Sequence, residues 1–541
     1  MSVSIPTTHR TAIHNAFFSI SILLVFWIVS HSASVAAESS QARSWTSVVT
    51  QLPEEIEYVI ITPEAFASEF QRLADFRSQE GLPSTVITVE WILDNGSPGV
   101  DLPETIRNFL QAVHEEWGLR FLLLGGDSAF IPPRYVHNTY YPPQGYTDIP
   151  TDFYYACLDG NWDADGDGIY GEAYVSEFNP GDDADLNPEL AVGRAPVNDL
   201  TQAAIFVDKI LTFESRPPPE ERAGTLLAEM LFPPDWNPGD TVILDGASWC
   251  EEYALIWESF VPPISATRLY ENYQDYPPAE PLTKDAALAA MASGENLIIH
   301  HSGHGNLDGM SVGNGVIGPA DVAALTNAPS FFFLVALFPY SAAFDYDCLL
   351  ERILLNPDGG SVGGLGSSRE TFPYTIHEYQ VAFYEEIMSG DEISVGEAVK
   401  NVVSVYEPYT FYNTVHRWTC LTLTLLGDPA LVIPFIVETG VNREEPVLDD
   451  KLLVYQNSPN PFNPLTTVRF SLPETQVVRV DVYAVDGKYI TTLINKELIA
   501  GPHFVTWNGK DMQGRAVASG TYFYRLEAGT DIETRRMMLV R

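Results

Sequence analysis

Near-continuous apolar stretches, alternating with amphipathic helical patterns, are the feature that most constrains what this chain can fold into. EYVIIT, RFLLLGGD, NLIIHH and FFFLVAL are mostly apolar, and helical periodicity appears between them. Strands that are apolar on both faces belong to parallel sheets covered by helices on both sides. The sequence therefore predicts a doubly wound α/β core.

The α/β pattern starts twice along the chain. It begins again at GTLLAEML, after the proline-rich SRPPPEE, and this restart predicts two subdomains of one class, at 45–222 and 223–436. A change of composition predicts a linker at 437–452. Residues 453–541 hold short alternating strands separated by Gly, Asp and Pro turns, which is typical of an all-β sandwich.

The amino terminus has the three-part layout of a secretory signal peptide, predicted to cover residues 1–37. Arg10 precedes a short apolar run at 17–29, and small residues follow at Ser34 and Ala36. A membrane anchor is the alternative, but the run is shorter than the ~20 residues that a spanning helix needs. No later segment is long and apolar enough to span, so we expect an exported chain with no membrane span after processing.

The charge of the chain argues against nucleic-acid binding, and its cysteine spacing argues against a structural zinc site. The formal charge of −43 at pH 7 repels phosphate backbones, which disfavours nucleic-acid binding. The four cysteines are scattered without CxxC spacing, which disfavours structural zinc, and their spacing does not give a disulfide connectivity. They are Cys157, Cys250, Cys348 and Cys420.

His304 stands between two glycines directly after the predicted strand NLIIHH. Glycines permit positive φ and a close backbone approach, so such a turn holds an imidazole in an exposed position. A lone histidine is more often a core or surface residue, and the flanking glycines favour a functional role here. His300 and His301 are adjacent on the strand and point to opposite faces, so they would not share a metal ion.

The stretch LVALFPYSAAFDYDC contains the end of the next predicted strand and the loop that follows it. The two strands are separated by one connection, so their carboxyl ends should share one sheet edge and bring residues 338–341 near His304. A cysteine in that loop would form an activated thiol with the histidine. The loop begins with Phe338 and Pro339 and supplies no thiol.

The segment DGNWDADGDGIYGE, residues 159–172, resembles the first half of an EF-hand calcium loop. Acidic residues alternate, and Gly168 takes the sixth position. The twelfth position would be Tyr174, so Glu172 or an outside carboxylate such as Asp159 must complete the shell. We expect a structural calcium ion, with a solvated acidic turn as the alternative. The candidate ligands are Asp163, Asp165, Asp167, the carbonyl of Ile169, and Glu172.

SGHGN and the segment from DVAALTN to GGLGSSRE resemble the gingipain family of secreted cysteine peptidases. FLLLGGDSAFIPPRY, ELAVGRAP and LTLLGDPALVI resemble further landmarks of that family in the same order, over roughly residues 45–435. The resemblance implies a caspase-like doubly wound α/β fold in two subdomains, and hydrolysis of peptide bonds by a Cys–His dyad. It implies His304 as general base and acid, Glu189 as the acidic residue that assists it, and the Gly305 N–H as an oxyanion donor.

The position that the resemblance implies for the nucleophile holds no thiol. Counting back from residues 343–345 places Pro339 there, and alignment on the preceding Val-Ala places Leu337 there. Proline lacks an N–H, and loss of one oxyanion donor costs about 10²–10³ in rate. Ser341 and Cys348 are the fallback nucleophiles, the first about 6–7 Å further along and the second at the start of a predicted helix.

Three functions follow from this departure. We expect an impaired peptidase homologue that acts on or binds polypeptides. The alternative is a non-catalytic surface protein that binds peptides or partners. An active hydrolase that uses a fallback nucleophile is the third.

The last ninety residues resemble the type IX secretion sorting domain, an Ig-like sandwich of the flagellar-hook-cap type. NSPNPFNPLTTVRFSLPE, VDVYAVDGKYITTLI and SGTYFYRLEAGTDIETRRMMLVR carry the resemblance. It implies translocation by the type IX secretion machinery and a secreted or outer-surface location. A structural or adhesive Ig-like module is the alternative.

Overall fold

The computed structural model describes most of the chain between residues 56 and 539. The predicted signal peptide at 1–37 and nearly all of the predicted linker at 437–452 lie outside the described residues. The described residues are Trp45, Val48, 56–138, 147–174, 176, 181–217, 222–234, 236–237, 240–260, 263–389, 393–412, 414–435, 452–454, 457, 466–472, 475–485, 487–498 and 501–539.

The first predicted subdomain contains eight strands and five α-helices among its described residues. The strands are β1 (Tyr58–Thr62), β2 (Ser84–Thr88), β3 (Phe121–Gly125), β4 (Arg134–Asn138), β5 (Thr147–Thr151), β6 (Gly160–Asn161), β7 (Asp183–Ala184) and β8 (Ala191–Ala195). The helices are α1 (Ala67–Gln79), α2 (Val89–Asn95), α3 (Leu102–Trp117), α4 (Phe153–Ala156) and α5 (Leu200–Glu214).

The second predicted subdomain continues the alternation of strands and helices. Its strands are β9 (Ala223–Ala228), β10 (Met230–Phe232), β11 (Leu244–Asp245), β12 (Ser265–Tyr270), β13 (Glu280–Pro281), β14 (Asn296–Ser302), β15 (Gly305–Asn306), β16 (Gly309–Val312), β17 (Gly315–Ile317), β18 (Phe332–Val335), β19 (Ser361–Ser367) and β20 (Leu423–Leu426). Its helices are α6 (Gly246–Ser259), α7 (Lys284–Ala292), α8 (Pro319–Ala323), α9 (Leu349–Leu354), α10 (Pro373–Ile387), α11 (Val395–Tyr406) and α12 (Val415–Thr422).

One large sheet runs through both subdomains in the order β13-β12-β9-β14-β18-β19-β20-β8-β3-β1-β2. The strands from β13 to β19 are parallel to one another, and so are those from β20 to β2. The two groups meet where β19 pairs with β20 in antiparallel fashion. The predicted parallel sheet is therefore present as two halves that run in opposite directions.

Apolar strands and one-sided helices build the core of this sheet as the sequence predicts. β1, β3, β14 and β18 are buried along their whole length. Helix α3 begins at its N-cap Asp101, which accepts a hydrogen bond from Glu104 N, and ends at the left-handed Gly118. One continuous cluster of buried apolar side chains extends from Trp45 to Phe435.

The carboxy-terminal residues form two antiparallel sheets around a separate core. The sheet orders are β21-β22-β25 and β24-β23-β26-β27. The second cluster of buried apolar residues lies within these strands, as expected for a sandwich. The strands are β21 (Leu453–Val454), β22 (Thr466–Leu472), β23 (Gln476–Ala484), β24 (Tyr489–Leu498), β25 (Gly501–Trp507), β26 (Gly520–Ala528) and β27 (Asp531–Leu539).

Among the helices that the structure describes, none has the length and apolar character needed to cross a membrane.

Candidate active site

The structure brings the Gly-His-Gly turn and the loop after β18 to one place. β14 and β18 are parallel neighbours, with Ile298 opposite Phe333, so the segments that follow them leave the sheet at the same edge. We call this the His304 edge, and we call residues 336–345 the Phe338 loop. The two segments touch, because a Cβ added to Gly305 would lie 2.3 Å from Cδ2 of Phe338.

Glu229 is a buried carboxylate that holds the backbone of the turn, and sequence reasoning missed it. It directly follows β9, the parallel neighbour of β14 on the other side. Its Oε2 accepts a hydrogen bond from His304 N at 2.9 Å, and its Oε1 accepts from Ser311 Oγ and Gly313 N, each at 2.8 Å. Glu229 is only 4% exposed. These donors therefore replace the water that an ionised carboxylate would otherwise need.

A backbone carbonyl orients the imidazole of His304. Its Nε2 lies 3.0 Å from Leu231 O, and the ring stands edge-on to Phe232 at 6.3 Å between centroids. A carbonyl oxygen only accepts, so Nε2 must carry the proton and Nδ1 is the basic nitrogen of the neutral ring. Within the described part of the chain, Nδ1 has no hydrogen-bond partner. The arrangement presents a base at Nδ1.

The structure does not bring Glu189 to His304. Glu189 precedes β8, and β18, β19 and β20 separate that strand from β14, which is roughly 19 Å at the usual strand spacing. Its carboxylate accepts a hydrogen bond from Leu158 N, and its carbonyl accepts from Lys400 Nζ. Burial raises the pKa of Glu189 against the effect of the Leu158 N–H. The carboxylate beside the turn is Glu229, in the half of the sheet that carries His304.

Phe338 occupies the space beside the predicted oxyanion donor. β18 ends at Val335, and both positions proposed for the nucleophile, Leu337 and Pro339, flank Phe338. The phenyl ring lies against Gly305 and stands edge-on to the ring of His301 at 5.5 Å. An apolar ring therefore fills the contact between the loop and the turn.

Contacts from the segment after β19 hold the Phe338 loop in one conformation. Arg369 donates to Asp345 Oδ1 and Oδ2 at 3.0 and 2.7 Å, and both side chains are buried. The Arg369 carbonyl accepts from Tyr340 N, and the Tyr340 hydroxyl donates to Glu370 at 2.8 Å. Tyr340 has φ 61°, the one positive φ at a non-glycine residue in the described chain. Such a conformation persists only where the surroundings enforce it.

The side chains of the two fallback nucleophiles are buried and already take part in packing or hydrogen bonding. Ser341 Oγ is buried and accepts a hydrogen bond from Ser367 N at 2.9 Å. Cys348 is the buried N-cap of α9, and burial followed by the charge of Glu351 raises the pKa of its thiol well above the usual value. A buried thiol with a raised pKa is inert, because the thiolate is the reactive form. The other three cysteines, Cys157, Cys250 and Cys420, are also buried and free.

The acidic side chains of the predicted calcium loop converge, and the structure adds one from outside it. Two overlapping groups have ligand atoms within 4.8 Å of one another. They are Asp163, Asp165 and Asp182, and Asp165, Asp167 and Glu172. Asp182, which sequence reasoning missed, accepts hydrogen bonds from Ala164 N and Glu172 N and so ties the two ends of the loop together.

The backbone of the acidic loop is closed in the way that its glycines predict. Gly166 and Gly168 adopt φ 76° and 83°, and Gly168 N donates to Asp163 Oδ1 at 3.2 Å. Ile169 N donates to Asp167 Oδ1 at 2.7 Å. Burial, followed by the charges of its acidic neighbours, raises the pKa of Glu172. A set of hard carboxylate oxygens that repel one another suits calcium.

Two family models match the sequence. The model of peptidase family C25 matches residues 51–434, and the model of the FlgD Ig-like domain matches residues 465–531.

Comparison of the folds shows a likeness to solved structures over most of the chain. The crystal structure of the Arg-specific cysteine proteinase gingipain R (RGPB) is similar with a TM-score of 0.53 at 15% identity, covering 90% of this chain and 99% of that one. The complex of the Porphyromonas gingivalis RgpB pro- and mature domains has a TM-score of 0.51 at 17% identity, covering 90% and 100%. At these identities the likeness shows the fold.

An uncharacterized protein of Archaeoglobus fulgidus is 25% identical over 170 residues, which is 28% of this chain. The chain spans about a third of the length of that curated relative, since the match covers 33% of it.

Proposed function

Since the chain belongs to peptidase family C25 and carries a FlgD Ig-like domain, we propose that it is an exported peptidase homologue that binds polypeptides at the His304 edge and hydrolyses them poorly. The contact between Phe338 and Gly305 supports this most directly, because an apolar ring lies where a substrate carbonyl would meet the turn. A non-catalytic surface protein that binds peptides through the same edge is the alternative, and it differs only in having no residual turnover.

The proton-transfer side of a cysteine-peptidase reaction is present in this chain. His304 Nδ1 would accept the proton of an incoming nucleophile and later return it to the leaving amine. Nε2 would keep its proton on the Leu231 carbonyl throughout. The Glu229 carboxylate holds the His304 backbone by accepting a hydrogen bond from its N–H.

The positions expected to supply the nucleophile do not provide one. Leu337 and Phe338 are apolar, and Pro339 has no N–H to offer to an oxyanion. Catalysis by Ser341 would break its bond with Ser367 N, and catalysis by Cys348 would require the thiol to leave the core. An active hydrolase through either residue is therefore the less favoured reading.

The full chain, supplied with calcium and assayed on a fluorogenic peptide library, tests this proposal. We expect turnover by the native sequence to be at least ~10²–10³ below that of a Leu337→Cys or Pro339→Cys variant, the scale of one lost oxyanion donor. Iodoacetamide should leave the native thiols unmodified in the folded protein, and it should label the cysteine of Pro339→Cys, because position 339 is only partly buried.

His304→Ala, made in each background, is the matched control. Turnover by the native sequence that equals that of the cysteine variants and that His304→Ala abolishes would show an intact enzyme and refute the impairment. Turnover that survives His304→Ala would remove His304 from the site altogether.

We further propose that a calcium ion binds the acidic loop as a structural cofactor. Asp163, Asp165, Asp167 and Glu172, with the Ile169 carbonyl and Asp182, would hold it, and its charge would relieve the repulsion among them. Binding only to the folded state should raise the free energy of unfolding by about 2.7 kcal/mol at one hundred times Kd. Unfolding midpoints in calcium and in EDTA measure this. Asp165→Asn should abolish the difference, whereas Asp94→Asn, on an exposed face of α2, should not.

Export through the type IX secretion machinery is the remaining part of the proposal. The three-part amino terminus and the carboxy-terminal Ig-like domain support it. Amino-terminal sequencing of protein recovered outside the cell should give a start near residue 37 or 38. Retention of the intact chain inside the cell would contradict it.

A further inference from the structure

A cavity of about 430 Å³ lies between the β4–β5 hairpin and the acidic loop, separate from the His304 turn. Its size is in the range of small-ligand sites. The side chains used in the argument below are Asp101, Arg134, Tyr135, His137, Asp148 and Tyr170. The proposed reaction assigns no role to any of them.

The charge that the cavity offers to a ligand is negative. Arg134 is buried, and its Nη1 and Nη2 both donate to Asp101, at 2.7 and 2.9 Å, so its positive charge is already paired. The Asp148 carboxylate is 68% exposed and lies 3.6 Å from His137 Nδ1. Carboxylates facing a partly enclosed space attract organic cations.

Tyrosine rings give the cavity a second means of binding a cation. Tyr135 is 44% exposed. The ring of Tyr170 already stacks on the Arg134 guanidinium, whose central carbon lies 3.7 Å from the ring centroid. A basic side chain placed between a tyrosine face and a carboxylate gains cation–π and ionic attraction together.

Two side chains that follow β19 donate hydrogen bonds to carbonyls of the hairpin that lines the cavity, and so join it to the His304 edge. The Asp148 carbonyl accepts a hydrogen bond from Arg369 Nε at 3.1 Å, and the Pro150 carbonyl accepts from Ser368 Oγ at 3.2 Å. Arg369 follows β19, which lies two strands from β14, or about 10 Å. About three residues of extended polypeptide span that distance.

We propose that this cavity binds a lysine or arginine side chain of a polypeptide that also lies along the His304 edge. The inference rests on the proposed function only in that the polypeptide reaches the cavity from that edge. The bound side chain belongs to a peptide residue several positions from the one that lies beside His304. The cavity therefore increases the affinity and fixes the position of the peptide, and it does not select the residue next to a cleaved bond.

Equilibrium binding of two labelled peptides to the full chain tests the inference. The first probe is a fluorescein-labelled twelve-residue peptide of alanine and serine with one central arginine, and the second replaces the arginine by citrulline, its neutral isostere. Fluorescence anisotropy in calcium should show the arginine peptide binding about tenfold more tightly, the size of one partly desolvated cation contact. Added salt should shrink the preference.

Two cavity variants and one control locate the preference. Asp148→Asn and Tyr135→Ala should reduce the arginine preference toward unity, while Asp94→Asn should keep it. Unfolding midpoints equal to that of the native protein show that the variants fold. Equal affinity for the two peptides, no binding of either, or a preference that survives Asp148→Asn would overturn the inference.

Two further measurements separate this inference from the proposed function. Competition by N-acetyl-arginine amide as strong as by the peptide would show a site for free cations and overturn the polypeptide as occupant. His304→Ala affects turnover and not the difference between two peptides at equilibrium. Failure of the peptidase proposal and failure of the cavity proposal therefore give different results.

Discussion

The Gly-His-Gly turn and the Phe338 loop meet at one sheet edge, and buried polar contacts hold both of them. On the first side, the contacts of Glu229 and Leu231 position an imidazole with a basic nitrogen. On the second side, an ion pair between Arg369 and Asp345 and a left-handed Tyr340 position a phenyl ring. The backbone is held in place on both sides, but the first side presents an imidazole and the second presents a phenyl ring.

The difference shows that the scaffold of the loop does not depend on a nucleophile. Its hydrogen bonds run from backbone groups and from residues 367–370, none of which involves positions 337 or 339. A substitution at either position therefore leaves in place the contacts that fold the loop.

Both sides contain buried carboxylates, and removing that of Glu229 should have the largest effect on stability. Glu229→Ala leaves His304 N, Gly313 N and Ser311 Oγ without their acceptor. We expect the free energy of unfolding to fall by about 3 kcal/mol or more, since hydrogen bonds to charged groups contribute about 1.5–3 kcal/mol each and their losses add only in part. Denaturant unfolding followed by tryptophan fluorescence measures this.

Glu189→Ala is the matched comparison, because sequence reasoning gave that residue the role near His304. Its carboxylate accepts one backbone N–H, so we expect a loss of about 1 kcal/mol. A loss at Glu189 as large as at Glu229 would contradict the assignment of Glu229 as the residue that holds the turn.

Local patterns predicted much of this architecture. The apolar strands, the helices between them, the place of His304 and the pairing of its strand with β18 all follow from periodicity, glycine chemistry and the short connection between the strands. The converging acidic residues follow from alternation in a glycine-containing turn. Each of these features is encoded within one or two neighbouring segments.

Features that depend on the order of strands in the sheet and on distant segments were not predictable. The family resemblance implied Glu189, which precedes the Val-Gly-Arg element, but β18, β19 and β20 separate β8 from β14 and keep its carboxylate away from His304. Glu229 and Asp182 act through partners 75 and 18 residues away along the chain, which no local pattern encodes. The available signal for Glu229 was an acidic residue directly after an apolar strand in the same half of the sheet.

Removing the charge of Glu351, a carboxylate on the Phe338 side, should change the free energy of unfolding by less than the loss of Glu229 does, and in the opposite direction. It is buried in the first turn of α9, and within the described residues its Oε1 has no hydrogen-bond partner. Burial, followed by the charges of Asp127 and Asp347, raises its pKa well above the ordinary 4.5, against the weaker opposing effects of the Cys348 N–H and Arg194. Glu229 is satisfied by three donors, whereas Glu351 is only partly satisfied.

The sign of the pH dependence follows from that shift. Above pH 4.5 the unfolded chain loses the Glu351 proton while the folded protein retains it, so this group makes the free energy of unfolding fall as pH rises toward the folded pKa. Glu351→Gln should remove this slope and raise stability at pH 8 by about 1–2 kcal/mol. Unfolding of both proteins at pH 5 and pH 8 measures it, with exposed Glu295→Gln as control. A variant less stable than the native protein at pH 8 would mean that the Glu351 carboxylate is as well satisfied as that of Glu229, and the two sides of the edge would then differ in chemistry alone.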